Sequence, residues 1–368
     1  MSTIGIICEY NPFHNGHLYH INKIKEMFKD STIVLIMSGN FTQRGDVSII
    51  NKWDKTEIAL KNSIDLVVEL PFDYTCESAD IFAEGSVKLL NYLKVDYLVF
   101  GSETNNIDLF SKIADIQLSK EYNLKVKEYI NNGLNYALSL SKALESFGYN
   151  NINKPNDILA ISYIRELKKI KSNIIPISIK RDNDYNSKEL NDTITSATSI
   201  RENIMKTDIK KYVPVNVYPY LCNKLYFTDD YFPFLKYKIL SENDLSKYVG
   251  IDEGIDNKIK KVIYDCNSYD ELIFKIKSKR YTYTKIKRLL ISILVGYTKE
   301  EAKNRNINYI RVLGFNKKGR SYLNKIKKQI DIPIYTNFKK EMNMELKVTS
   351  IYDINLVKKE ISNLIKIN

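Results

Sequence analysis

The first 180 residues alternate short apolar runs with amphipathic stretches, and this alternation restricts the fold more than any other feature of the sequence. The apolar runs are rich in Ile and Val and nearly continuous, as strands buried on both faces are. They cover residues 3–10, 32–37, 65–70, 96–100 and 174–180, with helical patterns at 18–28, 54–62, 79–93 and, as a longer insertion, 107–171. This spacing predicts βαβ units and a parallel sheet covered by helices, with a ligand at the carboxyl ends of the strands.

The pattern changes near residue 215, beyond which helices dominate. Helical patterns at 231–246, 255–265, 269–279 and 284–297 precede a last unit with a strand at 309–315, a basic helix at 319–329 and a strand at 332–335. A chain of 368 residues is long enough for more than one domain. We predict a Rossmann-like α/β domain over residues 1–214 and a basic, mainly helical region over residues 215–368 that ends in a small α/β unit.

Composition excludes several classes of protein. Every apolar run is shorter than the roughly 18 residues of a membrane span, so we expect no membrane segment. The chain enters its first strand without a basic leader or a cleavage site, which predicts a cytoplasmic protein. No obligate protein partner is evident. The four cysteines are scattered without a CxxC pair, so neither disulfides nor a zinc site is expected.

The net charge of +12, from 56 Lys and Arg against 44 Asp and Glu, favours an anionic partner. Clustered Lys and Arg gain affinity for phosphate because they displace its counterions. The sequence is also rich in Lys, Asn, Ile and Tyr, as AT-rich coding sequences tend to be. Each of the scarce arginines is therefore more informative than a typical lysine.

The three histidines of the chain all lie within one segment, at His14, His17 and His20. They follow the first strand and open the next helix, where free N–H groups and the helix dipole favour a bound phosphate. A spacing of three places His14 and His17 on one side of the first turn, and Gly16 leaves room for a ligand. Two imidazole donors there could stabilise charge on the α-phosphate of a nucleotide. The alternatives are a helix-capping loop and, more weakly, a zinc site.

A second motif, SATSIR at residues 196–201, follows the last strand of the predicted sheet. The hydroxyls of Ser196 and Thr198 can cap a helix whose N–H groups face phosphate, and Arg201 one turn later can hold a pyrophosphate leaving group. A simple polar helix cap is the alternative. Ala197, between Ser196 and Thr198, offers no hydroxyl.

Further short motifs follow one another along nearly the whole chain. The first is GIICEYNPFHNGH at residues 5–17. Others are MSGNF at 37–41, QRG at 43–45, KW at 52–53, ELPF at 69–72, FAEG at 82–85, FGSE at 100–103, PNDIL at 155–159, KR at 180–181, KRYT at 279–282 and RVLGF at 311–315. With the two motifs above, this order resembles the tRNA(Met) cytidine acetate ligases of the HxGH nucleotidyltransferase superfamily. The resemblance implies a nucleotidyltransferase-like sheet in an enzyme that activates acetate with ATP to acetyl-adenylate and then acetylates N4 of the wobble cytidine of elongator tRNA(Met).

The resemblance also implies site residues. His14, His17 and Arg201 would be catalytic, and Mg²⁺ would neutralise the phosphates of ATP; no residue is assigned as a metal ligand. For three of the ATP-binding residues a structural role is the alternative. Gly101 could be a turn glycine, Asn156 a residue of the first helical turn, and Arg181 a surface charge. The ATP-binding residues would be Ile7, Cys8, Glu9, Tyr10, Asn11, Pro12, Phe13, His14, Asn15, Gly16, His17, Leu18, Tyr19, His20, Gly101, Asn156, Arg181, Ser196 and Thr198.

Two further sites are predicted from residue types. The turn of Ser38, Gly39 and Asn40 after the second strand offers donors for the carboxylate of acetate, with a plain loop as the alternative. A basic stretch with interleaved tyrosines suits phosphate contact and base stacking in RNA loops, with a solvated helix face as the alternative. The tRNA-binding residues would be Arg280, Tyr281, Lys285, Lys287 and Arg288.

Two other functions compete with the ligase. A metabolic nucleotidyltransferase is usually a compact single domain, so the extra basic residues after 214 argue against it. An RNA-binding protein with a relic nucleotide site would be free to lose His14, His17 and Arg201, all of which are present. No separate acetyl-coenzyme A motif is found, which favours free acetate as the acyl donor.

Overall fold

The computed structural model describes residues 2–181, 195–252 and 254–367. The strands are β1 (Thr3–Cys8), β2 (Thr32–Ser38), β3 (Leu66–Leu70), β4 (Tyr97–Ser102), β5 (Ile175–Lys180), β6 (Ile310–Phe315), β7 (Ile334–Tyr335) and β8 (Ile365–Lys366). The helices of the first part are α1 (Asn15–Met27), α2 (Lys52–Lys61), α3 (Phe72–Thr75), α4 (Ala79–Tyr92), α5 (Ile107–Leu118), α6 (Lys120–Asn131), α7 (Tyr136–Ser146), α8 (Pro155–Lys169) and α9 (Ala197–Asn203). Those of the second part are α10 (Tyr218–Leu221), α11 (Phe232–Ser241), α12 (Ile255–Val262), α13 (Tyr269–Ile276), α14 (Tyr283–Val295), α15 (Lys299–Lys303), α16 (Lys317–Ile326), α17 (Asn343–Tyr352) and α18 (Val357–Ser362).

The strands form one mixed sheet in the order β5-β4-β1-β2-β3-β6-β7, with β8 beside β6. Strands β1 to β5 are parallel to one another, and β6 runs antiparallel to β3. The predicted α/β class, with a parallel sheet, a helical insertion over α5–α8 and a mainly helical C-terminal region, is therefore confirmed. The parallel arrangement of β1 to β5 brings the carboxyl ends of β1, β2, β4 and β5 to one edge of the sheet, where a ligand is expected in this architecture.

The last strand–helix–strand unit returns to the sheet of the first part. Ile310, Val312 and Leu313 of β6 are fully buried, which explains why this apolar strand joins a large sheet and does not stand alone. The division of the chain near residue 214 stays a prediction.

Three apolar clusters hold the molecule together. One face of the sheet packs against α4, α5 and α8, and the other packs against α1 and α2. A third cluster joins α11–α14 and α17 to the loop that contains Phe41 and Val47. Within the described ranges, no helix is both long and apolar enough to cross a membrane.

Candidate active site

The histidine motif lies at the carboxyl end of β1, where α1 begins. His14 is the N-cap of α1, and its Nδ1 accepts a hydrogen bond from Gly16 N at 3.0 Å. The Nδ1 of His17 accepts one from His14 N at 3.2 Å, and the two ring centroids are 3.9 Å apart. Because both Nδ1 atoms accept, the proton of each neutral ring is at Nε2. Both rings therefore present an N–H donor from the Nε2 side.

Burial keeps these rings neutral. It lowers the pKa of His14 to about 3, with Arg181 and then Arg201 as further causes. It also lowers the pKa of His17 well below its usual value, with His14 and Arg181 adding to the effect. Burial and Arg181 lower the pKa of His20 to about 4. An imidazole with a lowered pKa is a weak base but still donates a hydrogen bond through its N–H, which suits charge stabilisation better than general-base catalysis.

Aromatic packing fixes the second histidine. Tyr10 has a left-handed backbone, with φ of 49°, and its ring lies 4.8 Å from that of His17. Phe13 packs on Tyr10 at 4.7 Å and on His17 at 5.5 Å. The intervening Asn11 accepts a hydrogen bond at Oδ1 from Ile49 N at 2.8 Å. The loop is therefore held from both sides before any ligand binds.

The remaining residues of the first segment are placed around this loop. Ile7 and Cys8 end β1 half-buried, and burial raises the pKa of the Cys8 thiol to about 12. The side chain of Asn15 donates to Lys211 O at 2.9 Å. Tyr19 is exposed on α1, which also contains Leu18 and His20; Pro12 precedes the helix.

Arg201 connects the Ser-rich motif at residues 196–201 to the loop before the histidines. Its Nη1 donates to Asn11 O at 2.6 Å, and its Nη2 donates to Thr198 Oγ1 at 3.3 Å. Ser196 is the N-cap of α9, and its Oγ accepts from Ser199 N at 3.0 Å. The histidine and Ser-rich motifs are thus neighbours, with the guanidinium bound to the loop that precedes His14.

Gly101 and Arg181 are neighbours on β4 and at the end of β5. A Cβ atom at Gly101 would lie 2.8 Å from Cδ of Arg181, so any larger residue there would displace the arginine. Arg181 N donates to Ser102 O at 2.9 Å, and its charge contributes to the low pKa of His14 and His17. Arg181 is therefore a cation at the edge of the sheet where the histidines lie, which we call the histidine edge; its contact with ATP stays a prediction.

Asn156 belongs to a network that was not predicted. Its Nδ2 donates to Glu103 Oε1 at 2.6 Å. The next residue, Asp157, accepts from Ser102 Oγ at 2.5 Å and from Thr104 N at 3.1 Å. Burial opposes ionisation of Asp157, but these hydrogen bonds outweigh it and lower its pKa. The network fixes the loop after β4 against the start of α8.

Lys55 joins the ends of β1 and β2, and sequence reasoning missed it. Its side chain is fully buried, and its Nζ donates to the carbonyls of Glu9, Ser38 and Gly39 at 3.0, 2.8 and 2.7 Å. Those bonds use all three ammonium protons. Burial lowers the pKa of Lys55 to about 7. The only available signal was a second lysine, three residues after Lys52, on the inward face of α2.

The turn of Ser38, Gly39 and Asn40, predicted to bind acetate, is also held by hydrogen bonds to other parts of the protein. Asn40 Oδ1 accepts from Lys52 N at 2.9 Å, and its Nδ2 donates to Thr349 Oγ1 at 3.2 Å. Ser38 Oγ donates to Glu9 Oε1 at 3.3 Å. A Cβ at Gly39 would lie 2.7 Å from Oε1 of Glu69. Lys52 Nζ binds Glu69 and Glu360, each at 2.7 Å, so the turn is braced by the C-terminal helices.

The predicted RNA-binding stretch lies at the start of α14. Tyr281 is 4% exposed, and its hydroxyl bonds to the backbone of Asp252, whereas Tyr283 is 56% exposed. Tyr283 is therefore the ring of this stretch that can stack on a base. The basic residues of the stretch differ in surroundings.

Arg280 is exposed, and Lys285 lies 4.3 Å from the Tyr281 ring centroid. Lys287 pairs with Asp46 at 2.8 Å. Burial lowers the pKa of Arg288, whose backbone packs on Gly45.

Among residues 2–181, 195–252 and 254–367, no group of three His, Cys, Asp or Glu side chains is placed to hold a metal ion. The groups around the histidines are mainly cations and N–H donors. The edge is thus suited to an anionic ligand.

Comparison with known proteins identifies the class that this fold and site define. The profile of the family described as HIGH Nucleotidyl Transferase matches residues 1–365. The crystal structure of Thermotoga maritima TmcAL in its apo form covers 100% of both chains with a TM-score of 0.92 at 28% sequence identity. The structure of that protein bound with alpha-thio ATP gives a TM-score of 0.89 at 29% identity, also over 100% of both chains.

Curated relatives narrow the class. The tRNA(Met) cytidine acetate ligase of Clostridium novyi is 40% identical over 98% of this chain and 97% of its own length. That of Clostridium kluyveri is 42% identical over 95% of this chain and 92% of its own length. The chain belongs to the tRNA(Met) cytidine acetate ligase family, and the resemblance found in the sequence is confirmed.

Proposed function

We propose that this chain is an ATP-dependent acetate ligase that acts on tRNA. In the first step an acetate oxygen attacks the α-phosphorus of ATP, which forms acetyl-AMP and releases pyrophosphate. In the second step N4 of the wobble cytidine of elongator tRNA(Met) attacks the acetyl carbonyl carbon. AMP leaves, and the amine loses a proton. The product is N4-acetylcytidine.

The observation that carries this proposal is the pair of adjacent histidine rings at the start of α1. The two ring centroids are 3.9 Å apart, and the Nε2–H groups of these rings suit the oxygens of an α-phosphate whose negative charge grows during displacement. No protein nucleophile is needed, because acetyl-AMP is already activated. His14 and His17 are the proposed catalytic residues.

Two arginines complete the phosphate site in this proposal. Arg181 lies beside Gly101 at the histidine edge and binds the triphosphate. Arg201 is held at the Asn11 carbonyl and meets the departing pyrophosphate, with Ser196 and Thr198 at the start of the same helix. Mg²⁺ arrives with ATP as part of the substrate. The loop of residues 7–20, with Gly101 and Asn156, surrounds the nucleoside and phosphates.

Acetate is proposed to bind at the turn of Ser38, Gly39 and Asn40, which lies next to β1 at the same edge. The side chains of Ser38 and Asn40 already have partners, so a carboxylate would meet the backbone of the turn. The tRNA is proposed to contact Arg280, Lys285, Lys287 and Arg288, with Tyr281 supporting Lys285 from below. We place this activity in the cytoplasm and propose no obligate protein partner for it.

Incubation with labelled acetate and ATP, with and without elongator tRNA(Met), tests the proposal. We expect acetyl-AMP and pyrophosphate without tRNA, and N4-acetylcytidine and AMP with it. Propionate should react poorly but detectably, because one methylene is worth only about 1–3 kcal/mol of discrimination. Acetylation from acetyl-coenzyme A in the absence of ATP would contradict the ligase.

A further inference from the structure

The positive charge of the chain is concentrated in one segment. Residues 280–330 carry 14 Lys and Arg against 2 Asp and Glu, a difference equal to the net charge of +12 of the whole chain. The rest of the sequence is electrically balanced. Long-range attraction of an anionic partner is therefore directed toward this segment.

Part of that charge is used inside the protein. Arg305 pairs with Glu77 at 3.1 Å. Arg311 is 1% exposed within β6. Charges that are paired or buried contribute little to binding a polyanion, because their field is already compensated or enclosed.

The largest group of the other, exposed cations lies on α16 and the 3₁₀ turn Lys327–Gln329 that follows it. Arg280, Lys299 and Lys303 are exposed elsewhere in the segment. The sequence has no acidic residue between positions 302 and 330. Ten residues of helix extend over about 15 Å, so these cations form a short continuous stripe. We name this stripe the basic helix surface; its exposed members are Lys317, Arg320, Lys325, Lys327 and Lys328.

The first half of α16 is attached at the amino-terminal edge of the sheet. A Cβ at Gly319 would lie 1.9 Å from Asp65 O, so the helix backbone packs directly on the residue before β3. Tyr322 donates its hydroxyl to Leu93 O at 2.5 Å, just before β4. Since the histidines lie at the carboxyl ends of the strands, the first turns of α16 and the catalytic edge are at opposite ends of the sheet.

We propose that the basic helix surface binds the phosphate backbone of the tRNA substrate at a distance from the cytidine that is acetylated. This inference rests on the proposed function. The two edges of a sheet with strands of five to seven residues are separated by about 20 Å. A tRNA with its anticodon loop at the histidines extends well beyond that distance. Its paired stem can therefore follow the stripe, which begins at the second edge and returns toward the first, because β7 is parallel to β6.

Matched variants with three lysines changed to glutamine test this surface. The test variant carries Lys317→Gln, Lys325→Gln and Lys328→Gln. The control carries Lys112→Gln, Lys120→Gln and Lys127→Gln, three exposed lysines on α5 and α6. Both lose the same net charge. The measurements are tRNA affinity as a function of salt, thermal midpoint, and acetyl-AMP formation without tRNA.

We expect the test variant to bind tRNA about 10-fold or more weakly near physiological salt, with a log–log salt slope reduced by about 2 to 3. The control should keep the slope of the unchanged protein. Acetyl-AMP formation and the thermal midpoint should be unaffected in both. Equal affinity and slope in the test and control variants would overturn the proposed surface. Failure of the unchanged protein to make acetyl-AMP would instead overturn the proposed function, since that assay contains no RNA.

Discussion

The histidine edge and the basic helix surface use polar groups in opposite ways. At the edge, each group is buried or half-buried and is held by a named partner: His14 by Gly16, His17 by the His14 backbone, and Lys55 by three carbonyls. On the basic helix surface the cations are exposed, and among the described residues Lys327 donates only to the neighbouring Asn324, at 3.2 Å. A preorganised buried site loses most of its function when one group is removed, whereas an exposed surface loses affinity in small, additive steps.

The largest effect is expected at the histidines. His17→Ala should lower acetyl-AMP formation by on the order of 10²–10³, the usual cost of losing one donor to a transition state. His14→Ala should do the same, while ATP affinity changes much less. Rapid-quench measurement of acetyl-AMP, with ATP binding measured in parallel, checks this. Near-normal adenylate formation in His17→Ala would contradict the catalytic role of the pair.

The next largest effect is expected from substitution of Lys55, which should chiefly lower the stability of the fold. Lys55→Met should lower the free energy of unfolding by about 3 kcal/mol, because three buried carbonyls lose their donor. Lys61→Met on the same helix is the control, since its ion pair with Glu57 is largely exposed and should be worth about 1 kcal/mol or less. Denaturant unfolding measures both. Equal losses in the two variants would show that the three carbonyl contacts add nothing.

The two arginines at the start of α14 differ in the same way, because Arg280 is exposed and Arg288 is enclosed. Arg280→Gln should weaken tRNA binding several-fold and lower the salt slope by about 1, with stability unchanged, because Arg280 is exposed. Arg288→Gln should also lower the thermal midpoint, since Arg288 is enclosed near Glu77 and Cys76. Unchanged tRNA affinity and slope in both variants would remove this stretch from the RNA-binding surface.

The smallest effect is expected from pH. The pKa of His14 is about 3 and that of His20 about 4, and that of His17 is also lowered, so the rings stay neutral above about pH 6. The rate of acetyl-AMP formation should therefore show no histidine inflection between about pH 6 and pH 8. A general base would instead lose activity as the pH falls through its pKa. A midpoint near 6.5 that disappears in His17→Ala would contradict neutral donors.

The sequence predicted the local elements better than the long-range contacts. Continuous Ile and Val runs identified β1 to β5, and three histidines within seven residues identified the start of α1. The partners of these elements were not predictable. Arg201 meets the Asn11 carbonyl 190 residues away, and Lys52 meets Glu360 through an ion pair that no local motif announces.

The exposure of polar residues depends on how the elements pack, so it could not be predicted from the local sequence pattern. Tyr281 and Tyr283 have the same sequence surroundings, yet one packs against Asp252 and the other is exposed. The buried cation of Lys55 was equally invisible, because a lysine in a sequence is ordinarily assigned to the surface. Interpretation from sequence was therefore strongest for motifs at strand ends and weakest for lysines and tyrosines in helical stretches.

The most direct test of the account is to follow an acetate oxygen. With acetate labelled by ¹⁸O at both oxygens, attack on the α-phosphorus leaves one labelled oxygen on the AMP released after tRNA acetylation. Mass spectrometry of the AMP, the phosphate products and the tRNA nucleosides should find one ¹⁸O in AMP for each N4-acetylcytidine formed. Unlabelled AMP, or label in inorganic phosphate with ADP as the product, would contradict an acetyl-adenylate formed at the histidine edge.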